Sequence, residues 1–245
     1  MTANLELIKY DAMGHLRPSM PFGLPVPIGN DSFTKLLLHC NGADASTTFT
    51  DSSASAHTVT VGADAQIDTA QSKFGGASGK FDGTGDNLTN DGGADFAFGT
   101  NTFTVDFWVR LAATGVQYVL YDSRPAATNG VYPTIYISTG NVVVFFQNSA
   151  DRITGTTTLS ADTWYHVALA RSGTSTKLFL SGTQEGSTYT DSNDYLNGTS
   201  RPAIAASGIN PATTNNLNGW IDEFRVSKGI ARWTANFTTP TMAYI

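Results

Sequence analysis

Carboxylates, histidines and aromatic rings are the groups in this 245-residue chain that could do chemistry, and their spacing limits what that chemistry is. Cleaving a glycosidic bond takes two carboxyl groups about 5–9 Å apart, one acidic and one nucleophilic or basic. Glutamate occurs only at Glu6, Glu185 and Glu223. Asp106 stands beside Trp108 in a strand-like run, with no second acid in that run. His15, His39, His57 and His166 show neither His-x-x-x-His nor Cys–His spacing, which argues against a zinc site. Cys40 is the only cysteine, so no intrachain disulfide forms and a small buried hydrophobe is its expected role. No enzyme is expected.

Sugar recognition asks for an exposed ring to stack on the ligand, with Asp and Asn around it. Trp108, Tyr118, Tyr121, Tyr132 and Tyr136 lie in runs that would line one sheet. Residues 189–195 read Tyr-Thr-Asp-Ser-Asn-Asp-Tyr, the polar and aromatic composition of many recognition loops. Trp108, Tyr118, Tyr136, Tyr189 and Tyr195 are the candidate carbohydrate-binding residues. Their competing role is core packing, which claims most strand aromatics.

The elements that would position these groups are short strands. Thr102–Leu111 alternates strictly, with apolar residues at odd positions, and Thr163–Arg171 and Gly219–Val226 behave alike. Period-two patterning over this much chain, with almost none near 3.6, predicts an all-β fold. Further strands are expected at 35–40, 47–51, 57–61, 79–83, 86–89, 118–122, 134–138, 141–147, 152–159, 176–180 and 201–206. Thr139-Gly140 and Ser181-Gly182 mark tight turns between them. About a dozen such strands suit two antiparallel sheets packed face to face, a jelly-roll sandwich.

Residues 1–32 differ. Pro18, Pro21, Pro25 and Pro27 are interleaved with Met20, Phe22, Leu24, Val26 and Ile28. Proline excludes helix and central strand here, while the apolar content is too high for a solvated linker. An extended arm that lays these side chains on another surface fits, either on a partner subunit or around its own domain. The sandwich then occupies residues 33–245. A net charge of −6 and the lack of a basic stripe exclude nucleic acid as partner. No apolar stretch approaches the ~20 residues that cross a bilayer, so no membrane insertion is expected. The N-terminus lacks a basic start followed by an apolar run, which predicts synthesis in a cytoplasm without a secretory signal.

Several stretches resemble laminin-G-like domains of the concanavalin A-like jelly-roll superfamily. They are residues 35–42, 46–53, 70–78, 81–86, 103–109, 163–169, 219–229 and 231–237, in that order over about four-fifths of the chain. This variant is similar to domains of tailed-bacteriophage virion proteins. The resemblance implies a non-catalytic virion component, as capsid decoration, head-fibre or tail-appendage protein. Such a protein would sit on the virion surface after assembly in the host cytoplasm. Other virion proteins would be its partners, through the arm, and a homo-oligomer, a trimer, its expected state. The alternative is a carbohydrate-binding, lectin-like adhesion or receptor-binding module that takes a cell-surface glycan. Enzymes of the superfamily that cleave laminarin-like substrates carry Glu-x-Asp-x-x-Glu on one strand, and nothing here spells that. Relatives also hold one structural Ca2+ through an aspartate on the final strand and groups from the first turn. Asp222 stands at that aspartate, Asn41 stands where many relatives have aspartate, and Asp82 or Asp44 would contribute. Asp222 has a competing role, capping a loop by accepting backbone amides.

Overall fold

The computed structural model describes residues 29–91 and 93–245, together with the backbone of 9–10 and 16–17. The arm residues Pro18, Met20, Pro21, Phe22, Leu24, Pro25, Val26, Pro27 and Ile28 lie outside the described residues, as does His15. β1 (Lys9–Tyr10) and β2 (Leu16–Arg17) form a small antiparallel pair. The body is all β, with no helix among the described residues, and consists of two antiparallel sheets.

One sheet has seven strands. In chain order they are β4 (Val59–Gly62), β7 (Asn87–Asn90), β9 (Tyr118–Asp122), β10 (Thr134–Ile137), β11 (Val143–Gln147), β12 (Ala150–Thr154) and β16 (Ala203–Ile204). Their spatial order is β12-β11-β10-β9-β16-β7-β4. The other sheet contains β3 (Thr34–Leu38), β5 (Gln66–Asp68), β6 (Ser78–Asp82), β8 (Phe103–Leu111), β13 (Trp164–Ser172), β14 (Ser175–Leu180), β15 (Thr183–Thr190) and β17 (Asn218–Lys228). Its order is β15-β14-β13-β8-β17-β6-β5, and β3 pairs with the second half of β17. The non-consecutive neighbours are those of a jelly roll.

Alternation decides which side chains meet between the sheets. Phe103, Val105, Phe107, Val109 and Leu111 of β8 share one core with Ile135, Ile137, Val143 and Phe145 of the seven-stranded sheet. The even positions of β8 point away from that core, yet Thr104, Asp106 and Trp108 are buried too. The cover is the chain after β17. Thr104 Oγ1 donates to the Ile230 carbonyl and accepts from the Arg232 amide. Trp233 and Phe237 pack on Ala168, Ala170 and Phe179, while Tyr244 lies against Arg225. Both faces of the larger sheet are therefore dry at its centre.

The Ser181-Gly182 turn has φ of 48° and 81°, the left-handed pair that a two-residue hairpin needs. A Cβ on Gly182 would also strike the Phe237 carbonyl oxygen. The Thr139-Gly140 hairpin closes through the Asn141 amide on the Ser138 carbonyl, with Asn141 itself left-handed. Three expectations fail. Residues 47–51 form only a single bridge at Asp51. The strand expected at 152–159 is β12 and ends at Thr154. β5 and the polar edge strand β15 carry no alternating signal and lie outside the expected strands.

Candidate functional site

A cleft runs over the outer face of the seven-stranded sheet. Side chains reach it because Ile135 and Ile137 of β10 point into the core, leaving Thr134 and Tyr136 on the other face. Phe146 lies opposite Thr134 across the ladder, and Val119 opposite Tyr136, so these four share one surface. A cavity of about 260 Å3 opens there, lined by Tyr136, Phe146, Thr134, Arg124, Asn129 and Gln117 among others. Tyr136 and Phe146 meet edge-on at 6.5 Å. Both are part-exposed.

Arg124 crosses the Phe146 ring at 5.1 Å. Its Nε donates to both oxygens of Asp122 at 2.9 and 3.0 Å, Nη2 donates to Asp122 at 2.6 Å, and Nη1 donates to Asn129 at 2.7 Å. Asp122 is fully buried and also accepts from Thr134 Oγ1 and the Gly208 amide. One carboxylate thus ties β9, β10 and the turn at 207–208 beneath the cleft. The Tyr136 hydroxyl donates to Asp151 Oδ1 at 2.8 Å, and burial together with that carboxylate pushes its pKa up. A second cavity of about 270 Å3 adjoins the first and shares Gln117 and Asn215 with it. Its lining includes Asn216, Asn218 and Asp82.

Of the five aromatics expected to bind carbohydrate, Tyr136 lies in the first cavity. Trp108 is not available: it is 4% exposed, on the opposite sheet, beneath the Lys73 ammonium and the Phe74 ring. Tyr195 is in the core, with its hydroxyl donating to Asp191 Oδ2 at 2.7 Å. Tyr118 is buried, its register placing it with Ile137 on the core side, and it reaches only the second cavity. Tyr189 is part-buried, and its hydroxyl accepts from Gln147 and Asn193 outside both cavities. Sequence reasoning does not reach Phe146, Arg124 and Asn129. Phe146 is visible as an alternate residue of an expected strand, whereas Arg124 depends on its partners.

The three expected metal ligands do not come together. Asp82 pairs with Asn218, and Asp222 lies four residues further along β17, about 13 Å away at strand rise. Asp82 instead joins Asp64 and Asp86, with one ligand oxygen of each within 4.8 Å of the others. Each Asp86 oxygen accepts a backbone amide, from Asp64 and Asp82 respectively. Burial, reinforced by the Asp82 charge and opposed by those amides, pushes the Asp86 carboxyl up to about 6. Asp44 accepts from Thr69.

Asp222 caps the loop at 73–74, its Oδ2 accepting the Lys73 and Phe74 amides at 2.8 and 2.9 Å. Its Oδ1 is buried without a hydrogen-bond partner. Burial pushes this carboxyl up to about 7, with Glu223 adding repulsion. Asn41 flanks the same loop, its amide lying where a Cβ on Gly75 would have to stand. One free carboxylate oxygen and one amide oxygen suit a hard cation, with backbone carbonyls left to fill a shell of about 6–8 oxygens. Lys73 is the opposing charge nearby.

A two-sheet antiparallel sandwich with an aromatic, amide-lined cleft on one outer face is a jelly-roll domain. Residues 82–232 match Laminin_G_3, the concanavalin A-like lectin/glucanases superfamily, and the chain belongs to that family. No curated protein sequence matches it. Solved structures similar to it include the binding domain of Paraclostridial Mosquitocidal Protein 1, at 14% identity and TM-score 0.61. That match covers 81% of this chain and 50% of the other. The botulinum neurotoxin serotype D binding domain matches at 18% identity and TM-score 0.61, over 83% and 50%. A structure of botulinum neurotoxin type C, whose cell entry depends on interaction with two ganglioside molecules, matches at 15% and 0.59, over 83% and 49%. This chain spans about half the length of these structures, and at such identities the likeness is one of fold.

Proposed function

We propose that this chain is a non-catalytic, lectin-like module that binds carbohydrate in the cleft around Tyr136, Phe146 and Arg124. The observation that carries the reading is the pair of part-exposed rings set beside a fixed guanidinium and several side-chain amides. Rings supply a stacking face, and the amides offer both donors and acceptors to sugar hydroxyls. A protein with the same fold interacts with gangliosides, which supports glycan binding by this scaffold without fixing the charge of the sugar taken here. Asp106, the strand acid beside Trp108, is fully buried beneath the tail, which favours binding over hydrolysis.

In the virion reading, the position of residues 29–30 sets where an arm would leave the sandwich. The Gly29 carbonyl accepts from Arg225 and Thr34, and the Asn30 amide donates to the Ile245 carbonyl. Arg225 belongs to the outer face of the larger sheet, opposite the cleft. A chain anchored through its arm to other virion proteins would therefore present the cleft outward. Glycan-array binding that falls at least about tenfold in Tyr136→Ala, with unchanged thermal midpoint, is the expected result. Removing residues 1–28 leaves that binding intact but abolishes attachment to the assembled particle, while the sandwich stays folded and soluble. Array signal indifferent to Tyr136 sinks the cleft, and a truncated chain that still attaches to the particle sinks the arm.

We also propose a structural calcium ion at Asp222 and Asn41, without Asp82. Calcium then raises the thermal midpoint by mass action, chelation reverses the rise, and Asp222→Asn abolishes it. A midpoint indifferent to calcium leaves Asp222 as a loop cap alone.

A further inference from the structure

The two adjoining cavities narrow the ligand of the proposed glycan site, an inference that rests on that reading. We propose that the cleft takes an uncharged oligosaccharide spanning both cavities, rather than a single sugar or an acidic one.

Length follows from size. Each cavity, at about 260 and 270 Å3, falls below the ~300–1,000 Å3 of ordinary ligand pockets. They share Gln117 and Asn215, so together they enter that range. A ligand that fills the site must cross the shared pair, from the Tyr136–Phe146 end to the Asn216–Asn218 end.

Charge follows from how the ionic groups are engaged. Arg124 is the one cation among the described residues lining either cavity. Its guanidinium is neutralised by the buried Asp122, and Nη1 donates to Asn129. Neighbouring Arg201 donates to the carbonyls of Arg124, Gly208 and Ser200. The ends of the cleft are acidic instead. Asp151 holds the Tyr136 hydroxyl at one end, and exposed Asp82 lines the other. A carboxylate or sulfate on the ligand would meet repulsion at both ends and find no uncompensated cation between them. Hydroxyls would meet Gln117, Asn129 and Asn215, whose amides both donate and accept.

Calorimetric titration of the full chain tests this, with mannohexaose, cellohexaose and maltohexaose, their monosaccharides, oligogalacturonate and sialyllactose as ligands. At least one neutral hexasaccharide should bind about tenfold or more tighter than its monosaccharide, a difference of about 1.4 kcal/mol. The acidic ligands should bind at least about tenfold more weakly than that hexasaccharide. Gln117→Ala combined with Asn215→Gly should erase the length advantage, bringing hexasaccharide affinity down to that of the monosaccharide. Glycine suits position 215 because Asn215 has φ of 52°. Equal affinity of the wild-type chain for monosaccharide and hexasaccharide overturns the spanning ligand. Tight, Tyr136-dependent binding of an acidic sugar overturns the neutral specificity while the glycan site stands. Binding of none of these sugars removes the glycan reading itself. The length series needs only the wild-type chain, so a variant that folds poorly does not decide the matter.

Discussion

Arg225→Met should lower folding stability by about 3–5 kcal/mol, read as a fall in the urea midpoint. Arg225 and Asp106 are both fully buried, and the guanidinium donates to the two carboxylate oxygens at 3.1 and 3.0 Å. Removing one partner strands the other charge away from water. Replacing both, as Asp106→Leu with Arg225→Met, should recover most of the loss, because the desolvation cost of both ions disappears with them. The pH dependence has a definite sign. Burial works against the Asp106 carboxylate, but Arg225 and His166 hold it well below the usual carboxylate range. Its contribution is therefore whole above the unfolded value of about 3.9 and is lost only as pH falls through the lower folded-state value. Burial outweighs Asp106 at His166 and lowers its pKa, so wild type and Asp106→Asn both lose stability below the ordinary histidine range. The stability difference between them should stay flat above the ordinary histidine range and grow once pH falls through the lowered His166 value, because Asp106→Asn removes the charge that supports a protonated His166. An Arg225→Met protein as stable as wild type would mean that water reaches the pair in solution, past the ring of Tyr244 that lies against the guanidinium.

The period-two pattern makes the sandwich legible because burial of one face is written into every second residue. It does not show that the larger sheet is buried on both faces. That cover comes from Trp233, Phe237 and Tyr244, aromatics scattered in a run of Thr, Asn and Ala with no period of its own. A signal is present nonetheless. Asp106 and Arg225 carry opposite charges at outward positions of two long strands, and the structure sets them directly opposite each other. Charges that pair across a ladder at a sheet's centre need a lid, and the aromatic tail is that lid.

The site is legible one residue at a time and not as a constellation. Tyr136 is visible because a half-exposed ring at an alternate position needs no distant partner. Trp108 looks equivalent, but Lys73 and Phe74, from a loop remote in sequence, close over it. Tyr195 is misjudged for a similar reason, since Asp191 turns its hydroxyl inward and lets the ring enter the core. The metal trio fails on register. Asp82 and Asp222 are joined through a strand pair whose register sets Asp82 against Asn218, and spacing in sequence does not reveal register.

Asp122→Ala should cost about 3–5 kcal/mol and abolish hexasaccharide binding together, because one buried carboxylate serves both stability and the cleft. Asp122 accepts the Arg124 amide and side chain, the Thr134 hydroxyl and the Gly208 amide. Its loss leaves a largely buried guanidinium without its counter-ion and a backbone amide without its acceptor. Arg124 would then leave Phe146 for solvent, taking the cleft's floor with it. Asp122→Asn separates the two consequences. It keeps the shape and one acceptor oxygen while removing the charge, so the fold should survive better than in Asp122→Ala. Binding should still weaken, and an acidic oligosaccharide should gain relative to the neutral one, since Arg124 now carries an uncompensated charge. That shift of preference is decisive, because a purely structural role for Asp122 would weaken all ligands alike. Full stability and full affinity in Asp122→Ala would detach Arg124 from the site and leave the rings without the group that positions them.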